Sequence, residues 1–144
     1  MGRILFYARS IMRSEEELKH EILEMHELFQ EWYRGSLSDS DLDSKIGTRL
    51  AEDFQITFPD GTAHLKHALL KMMRSDRGND PQYQIVISDI QVKNSSVDMY
   101  RIAYIESQYW YGAEKPNLII ETSSLLRDSP NGLLWTTIHE TQVD

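Results

Sequence analysis

The order of predicted elements indicates an α+β fold in which helices come first and a meander of strands follows, closing into a cone around an interior pocket. Three observations support this prediction. An amphipathic helix pattern occupies the early part of the chain. The segment 50–61 (LAEDFQITFPDG) has the pattern of a helix end, a short strand and a turn, and the segment 135–141 (WTTIHET) alternates like a terminal strand. In such a fold, function depends on the side chains that line the interior.

The composition indicates one globular domain. A chain of 144 residues with 40% hydrophobic content is long enough to bury a core. We predict a single domain over residues 14–144, preceded by a flexible extension over residues 1–13. The formal charge of −8 argues against nucleic-acid binding, because phosphate contacts require clustered Lys and Arg. No run approaches the roughly twenty apolar residues of a membrane-spanning helix.

The absence of cysteine excludes disulfides, thiolate chemistry and cysteine-based zinc sites. It is consistent with a reducing, cytoplasmic location. The sequence also lacks a glycine-rich phosphate loop, a nucleophile elbow and a dinucleotide-binding fingerprint. We therefore predict no cofactor.

The first helix is predicted from its cap and its stripe. Ser14 and Glu17 form a capping box, in which each side chain bonds the other residue's backbone N–H. Gly35 is the residue type that ends helices. The apolar residues between them recur at helical spacing and predict a core-facing stripe. That stripe consists of Leu18, Ile22, Met25, Phe29 and Trp32.

Two shorter helices are expected next. A loop rich in Ser and Asp over residues 36–44 precedes a second short helix that we expect to reach Leu50 or Asp53. Thr62 is a candidate cap for a third helix, which Gly78 and Pro81 would stop. The inner face of that helix is expected to carry Leu65, Leu69, Met72 and Met73.

The remaining segments have strand character, bounded by turn residues. The predicted strands cover residues 55–58, 83–92, 97–111, 118–127 and 133–143.

The strand 97–111 carries apolar and aromatic side chains on both faces, which indicates a packing partner on each side. The helices can cover one face of the sheet. We predict that the other face forms a homodimer. The expected interface residues, whose outward position is implied by the resemblance given below, are Ile105, Tyr109, Trp135 and Thr137.

Histidines offer two candidate sites. His64 and His67 are spaced for a metal, but no carboxylate lies within a turn on that helix face and zinc requires three or four ligands. The alternative is that both are exposed helix residues, and we predict no metal site. His139, on the last strand, is either a base or a histidine bonded to a backbone group.

Three carboxylates are stronger candidates. Glu106, Glu121 and Glu140 each interrupt an otherwise apolar or aromatic strand, and ionised carboxylates are rarely buried without a partner. If two of them share a cavity, burial and mutual repulsion raise one pKa into the range of a general acid. The alternative is that they protrude at strand edges or pair with Arg101 and Arg127.

Four segments resemble the nuclear transport factor 2-like superfamily: LAEDFQITFPDG, AYIESQY (103–109), ETSSLLR (121–127) and WTTIHET. The resemblance covers residues 15–141. It is strongest to the SnoaL-like group and to the association domain of calmodulin-dependent kinase. It implies a cystatin-like cone of three N-terminal helices packed on a curved, mostly antiparallel sheet. The superfamily includes isomerases, dehydratases, hydrolases, cyclases and assembly modules.

The resemblance does not carry over a known catalytic site. The proton-shuttling aspartate of ketosteroid isomerases falls on Phe58, and their hydrogen-bond-donating acid falls on Ser123. The arginines that line the pocket of the kinase association domain fall on Ser123 and Gln142. The resemblance instead implies which side of each strand faces the pocket. Those residues are Ile138, Glu140 and Gln142, then Glu121, Ser123 and Leu125, then Tyr104, Glu106, Gln108 and Trp110.

We therefore predict a small-molecule-binding protein of the SnoaL-like type, with a mostly apolar pocket. As an enzyme of the isomerase, dehydratase or hydrolase type, it would use Glu106 and Glu140 as acid and base, with Tyr104 as hydrogen-bond donor. The alternative function is a non-catalytic association module. The expected ligand-binding residues are Tyr104, Gln108, Trp110, Glu121, Ser123, Ile138, Gln142, Phe58 and Trp32.

Overall fold

A computed structural model describes residues 13–143 of the chain. It contains three helices on one curved, six-stranded sheet, which confirms the predicted α+β class. The predicted extension over residues 1–13 lies, apart from Arg13, outside the described residues. The helices are α1 (Glu15–Arg34), α2 (Asp39–Asp41, continued by a π turn over Leu42–Ile46 and a 3-10 turn over Gly47–Arg49) and α3 (Lys66–Ser75). The strands are β1 (Leu50–Thr57), β2 (Ala63–Leu65), β3 (Gln84–Ser95), β4 (Met99–Tyr109), β5 (Leu118–Ser129) and β6 (Gly132–Gln142).

The sheet has the strand order β2-β1-β6-β5-β4-β3, and all neighbours are antiparallel except β1 and β6. Its curvature accompanies breaks in register. The β3–β4 pairing shifts between Ser88 and Gln91, where Asp89 has a φ of 53°. The β5–β6 pairing shifts between Leu125 and Leu126. Such bulges bend a strand and increase its twist, which allows one sheet to wrap around a core.

Helix α1 begins and ends where the sequence predicts. The capping box of Ser14 and Glu17 is present, and Gly35 ends the helix with a φ of 89°. A Cβ added at Gly35 would lie 3.2 Å from the Cα of Gly78, so the glycine also permits a close approach. The backbone N–H of Gly78 donates to the Trp32 carbonyl at 3.2 Å. These contacts tie the end of α1 to the loop that follows α3.

The core lies between the helices and the inner face of the sheet. It includes the predicted stripe residues Leu18, Ile22, Met25 and Trp32, all buried. Trp32 is 0% exposed, and its indole N–H donates to the Met73 carbonyl at 2.6 Å. Within the described residues, no helix is both long and apolar enough to cross a membrane.

Two predicted helix boundaries are wrong. Residues 50–53 belong to β1 and not to the second helix. Leu50 is nearly fully buried in the core and lies opposite Trp135 of β6 in the sheet, so tertiary pairing overrides local helix character. Thr62 does not cap the third helix. Its N–H and hydroxyl donate to Asp60 within a turn, and α3 starts only at Lys66, after the short strand β2.

The predicted inner face of α3 is half right. Leu69 and Met73 are buried in the core, as expected. Leu65 is 61% exposed because it precedes the helix, and Met72 is 40% exposed.

Strand parity is correct on β4 and wrong on β5. The inner face of β4 carries Tyr104 and Glu106, as predicted. On β5, Thr122 and Ser124 are the buried inner residues, whereas Glu121 is exposed and Ser123 only half-buried. The segment ETSSLLR is polar on both faces at this point, so its pattern does not distinguish inside from outside.

The predicted outward position of Trp135 is wrong, and it therefore cannot form a dimer interface. Trp135 is 0% exposed in the core, and its indole N–H donates to Glu21 of α1 at 2.9 Å. Leu125 pairs with Thr137 but Leu126 pairs with Trp135, so a bulge at Thr136 separates the two partners. The inserted residue turns Trp135 inward while leaving Ile138 and Glu140 on the inner face.

Candidate functional site

A cavity of about 370 Å³ lies between the helices and one end of the sheet. This volume is within the range of small-molecule sites. Helix α1 contributes residues from its C-terminal half, α3 contributes residues from both of its halves, and β4 and β6 contribute the residues near their ends. The lining residues include the aromatic side chains Phe29, Tyr33, Phe58, Tyr83, Trp110 and Tyr111, the aliphatic and thioether side chains Ile56, Leu69, Met72, Met73, Ile85 and Ile138, and the polar side chains His26, Asp76, Asn79, Asp80, Glu106, Gln108 and Glu140.

A buried ion pair lies at the inner end of the cavity. Nε2 of His26 on α1 is 3.2 Å from Oε1 of Glu106 on β4, and both side chains are 5% exposed or less. Nδ1 of the same imidazole is 2.8 Å from the Ile22 carbonyl oxygen. A carbonyl can only accept, so Nδ1 carries a proton.

The short contact at Nε2 therefore also needs a proton, which belongs either to the imidazole or to the carboxyl group. Burial raises the pKa of Glu106, but the hydrogen bond and charge of His26, together with the Gln108 amide, outweigh burial and hold that pKa below its ordinary value. The carboxyl group of Glu106 is therefore the acceptor of this contact, and Nε2 of His26 donates to it. The pair holds one proton inside the protein in a defined place.

Hydrogen bonds extend from both ends of this pair. The Gln108 amide donates to Oε2 of Glu106 at 2.6 Å, and the Trp110 indole N–H donates to the Gln108 oxygen at 3.2 Å. On the other side, the Tyr104 hydroxyl lies 3.3 Å from Nε2 of His26 and 2.8 Å from the Ser124 hydroxyl. The ion pair is thus fixed by a network that runs from the core to the cavity rim.

The second acidic side chain of the cavity is Glu140 of β6, and its surroundings shift its pKa in the opposite direction. Burial and the nearby Glu106 raise its pKa to about 8. At neutral pH most Glu140 side chains are therefore protonated. Among the described residues Glu140 has no hydrogen-bonding partner for its side chain, so its proton is free to reach a bound molecule.

A buried hydroxyl lies beside Glu140. Thr122 pairs with Glu140 across β5–β6 and with Tyr104 across β4–β5. It is 2% exposed, and its Oγ1 has no hydrogen-bonding partner among the described residues. Buried hydroxyls are normally paired, so an ordered water is the expected partner of the Thr122 hydroxyl.

The tyrosines in and behind the cavity stay neutral. Burial, with the charges of Asp76, Glu140 and Glu106, raises the pKa of Tyr33. Burial and the same two glutamates raise the pKa of Tyr83. The shared influence of these carboxylates shows that they converge on one region. No cluster of three or more metal-ligating side chains occurs within residues 13–143.

The structure brings together most of the predicted site. Both candidate catalytic residues, Glu106 and Glu140, line the cavity. So do four of the predicted ligand-binding residues, namely Phe58, Gln108, Trp110 and Ile138.

The other predicted ligand-binding residues lie elsewhere. Trp32 and Tyr104 are buried in the core, although Tyr104 contacts His26. Glu121 and Ser123 occupy the outer face of β5, where Ser123 accepts from Arg101 at 3.1 Å. Gln142 is exposed at the end of β6.

Sequence reasoning missed His26, the partner of Glu106. Its signal was present, because His26 occupies the apolar face of α1 directly after Met25 and three residues before Phe29. A histidine on a core-facing stripe requires a partner in the core. The residues that sequence reasoning considered instead, His64 and His67, lie on different elements, β2 and α3.

A larger open groove, about 1170 Å³, runs beside the first half of α1. Its charged groups satisfy one another. Arg49 bonds Glu21 at 3.1 Å and Glu24 at 2.7 Å, and Lys66 bonds Glu52 at 3.2 Å. Because these charges pair with one another, whereas the cavity holds a carboxyl group without a side-chain partner among the described residues, we regard the cavity as the candidate site.

Fold and cavity together define a cone-shaped α+β protein that encloses a small-molecule-sized space. No protein-family model matches the sequence, and no curated protein matches it. Solved structures do match. An NTF2-like protein of unknown function from Pseudomonas aeruginosa has 28% identity and a TM-score of 0.81, covering 88% of this chain and 98% of its own. The fold is therefore that of the nuclear transport factor 2-like superfamily, which confirms the predicted resemblance.

Two more distant structures share the fold alone. A protein of unknown function with a cystatin-like fold from Nostoc punctiforme has 14% identity and a TM-score of 0.67, with 92% of this chain and 96% of that chain covered. A candidate calcium/calmodulin-dependent kinase II association domain from Exiguobacterium sibiricum has 16% identity and a TM-score of 0.59, with 92% and 97% covered.

Proposed function

We propose that the protein binds a small, largely apolar molecule in the interior cavity and transfers a proton to or from it. The observation that carries this proposal is the contrast between the two glutamates of one cavity. Glu106 is held ionised by His26, and the pKa of Glu140 is raised to about 8 by burial and by Glu106. Two titratable groups whose environments separate their pKa values are the usual arrangement of an acid and a base.

In this proposal Glu140 is the proton donor. Its carboxyl group is mostly protonated at neutral pH, half-buried, and free of a hydrogen-bonding partner among the described residues. Glu106, with His26, is the proton acceptor, and Gln108 and Trp110 position it through the hydrogen-bond chain to the rim. Apolar side chains around the two carboxyl groups lower the local dielectric constant, which strengthens these electrostatic effects.

The proposal is tested first by direct titration. Carboxyl-carbon NMR of the glutamate side chains should give one pKa well above and one below the ordinary range of about 4.3 for Glu140 and Glu106 respectively. Two ordinary values would leave the cavity without acid–base capacity. A thermal-shift screen against hydrophobic metabolites would identify molecules that bind the cavity.

Glu140→Gln keeps the shape of the side chain and removes only its titrating group. It should leave the fold intact and flatten the pH dependence of ligand binding or turnover. Glu121→Gln is the matched control, since it removes a carboxylate from the outer face of the same sheet. Equal effects of the two substitutions would contradict a specific role for Glu140.

A second function, self-association, is favoured by the outer sheet face. Ile105 and Tyr109 of β4 lie there with Leu125 of β5 and Thr137 of β6, all half-buried rather than exposed. We propose that this face forms a homodimer and buries more than about 1,000 Å² in total. Ile105→Glu should then dissociate the dimer and lower its thermal stability together. A wild-type monomer at micromolar concentration in light scattering would contradict the dimer.

A further inference from the structure

The ionisable side chains that line the cavity are mostly acidic. The only lining side chain that can carry a positive charge is His26, and it is committed to Glu106 at 3.2 Å. Among the described residues no Lys or Arg lines the cavity. The remaining ionisable acids are Glu140, Asp76 and Asp80, and Asp80 already accepts from the backbone N–H groups of Gln82 and Tyr111. Glu140 and the exposed Asp76 are thus available to a bound molecule.

Two hydrogen-bond donors of the cavity, on Gln108 and Trp110, are already engaged in the chain that ends at Glu106. The Gln108 amide donates to Glu106 at 2.6 Å, and the Trp110 indole donates to Gln108 at 3.2 Å. A negative charge on a bound molecule would therefore find no free cation in the described lining, and only neutral donors such as the Asn79 amide and the tyrosine hydroxyls. Uncompensated charge in an enclosed, apolar site is strongly unfavourable.

Several features instead favour a positive charge. Five aromatic rings line the cavity in addition to the exposed Tyr111, and ring faces attract cations. Helix α1 approaches the cavity with its C-terminal half, the end that carries partial negative charge, while α3 contributes residues from both of its halves. The net charge of −8 also favours the approach of a cation from solution.

We infer that the cavity selects a hydrophobic molecule with a basic nitrogen, an arylalkyl amine, whose ammonium group lies at Glu140 and whose ring lies among the aromatic walls. This inference rests on the ligand-binding function proposed above and names the class of that ligand. In that complex Glu140 is a carboxylate, so the inference deepens the binding part of the proposed function and not its proton-transfer step.

Binding of an amine at Glu140 should change the number of protons bound to the complex. A free arylalkyl amine is protonated at pH 7, and Glu140 is largely protonated in the empty cavity because burial and Glu106 raise its pKa to about 8. The complex of ammonium and carboxylate contains one proton fewer, so binding should release a proton. The titratable groups facing Glu140 from the other elements are His26 and Tyr33 of α1, Asp76 beyond α3, Asp80 and Tyr83 before β3, and Glu106 of β4.

Calorimetric titration of the full chain at pH 7, in two buffers of different ionisation enthalpy, measures both affinity and protons released. Suitable probes are 2-(2-naphthyl)ethylamine, the alcohol of the same skeleton, and 2-naphthylacetate. We expect the amine to bind at least about tenfold more tightly than the alcohol, with close to one proton released, and the carboxylate to bind most weakly. Affinity for the amine should rise from pH 6 to pH 8 and then level off.

Glu140→Gln should keep alcohol binding, reduce the preference for the amine to less than about threefold, and abolish proton release. Glu121→Gln should change none of these. Equal binding of amine and alcohol without proton release, or tightest binding of the carboxylate, would overturn the amine inference while leaving a binding cavity. Failure of all three probes to bind a normally folded protein would count against the binding function itself.

Discussion

The two ends of the inner sheet face contrast sharply, although the same strands and the same helix build both. At one end, Tyr100 and Trp135 are 0% exposed and their polar atoms are paired, the Tyr100 hydroxyl donating to Asp128 at 3.0 Å and the Trp135 indole to Glu21 at 2.9 Å. At the other end, the strands enclose a cavity, and Glu140 lacks a side-chain partner among the described residues.

Within this one sheet face, the closed end contributes stability, and the open end provides the candidate site. The closed end buries apolar area and leaves no polar atom of these two aromatic side chains unpaired, which is what a stable core requires. The open end forgoes burial and retains a carboxyl group at a raised pKa, which costs stability but supplies a proton. Strain and unpaired polar groups in an otherwise satisfied core are typical of functional sites.

The largest expected effect comes from truncating one tryptophan at each end. Trp135→Ala should lower the free energy of unfolding by about 3–5 kcal/mol, because it opens a cavity in the closed core. Trp110→Ala is the matched control at the cavity rim, where the side chain is 39% exposed, and should cost less than about 1 kcal/mol. Urea denaturation of both variants measures the difference. Similar losses would remove the distinction between the two ends.

The next effect concerns the ion pair that separates the two ends. His26→Gln removes the charge that compensates Glu106 in a site where both side chains are 5% exposed or less. We expect a loss of about 2–4 kcal/mol at pH 7, since breaking a buried pair leaves an uncompensated charge. The pKa of Glu106 should also rise, which carboxyl-carbon NMR can follow.

His20→Gln provides the control for that substitution. His20 lies on the same helix and pairs with Glu24 at 2.9 Å, but its side chain is 75% exposed. Exposed pairs contribute little, so this variant should change stability by less than about 0.5 kcal/mol. If both substitutions had the same small effect, the Glu106–His26 pair would not be buried as described.

The features that sequence predicted correctly are local ones. The cap of α1 depends on Ser14 and Glu17, three residues apart, and its end depends on Gly35. Glu106 could be recognised because a carboxylate interrupting an apolar strand is unusual. Its placement in the cavity followed from the resemblance, because β4 is apolar and aromatic on both faces and its own pattern does not distinguish them.

The features that sequence did not predict depend on distant contacts. Nothing near Glu106 in the chain indicates His26, because α1 and β4 meet only in the folded structure. The bulge at Thr136 has no local signal, yet it decides which way Trp135 points. The parity of β5 was undetermined because Thr122 and Ser123, on opposite faces, are equally polar.

The smallest stability effect is the pH dependence contributed by Glu140. This effect tests the open end of the sheet alone. Its folded-state pKa of about 8 lies above the ordinary value of 4.5. Between these values the unfolded chain has lost the proton that the folded chain retains. This contribution to stability is therefore fully present below pH 4.5, declines as pH rises, and is lost above about pH 8. Glu106 acts in the opposite sense, since its lowered pKa affects stability only as pH falls below about 4.5.

Glu140→Gln removes this dependence. A shift from 4.5 to about 8 corresponds to at most about 4.8 kcal/mol, and because Glu140 is only half-buried and screened by solvent, we expect the variant to be more stable than the wild type by about 2 kcal/mol at pH 8.5, with little difference at pH 4.5. Urea denaturation of both proteins across that range measures the effect, and it stays below the pH at which the buried tyrosines lose their protons. Glu121→Gln should follow the wild-type curve, because its carboxylate is exposed. Parallel curves for Glu140→Gln and wild type would mean that Glu140 titrates as it does in water. In that case the open end of the sheet would resemble the closed end in having no group held in an unfavourable state.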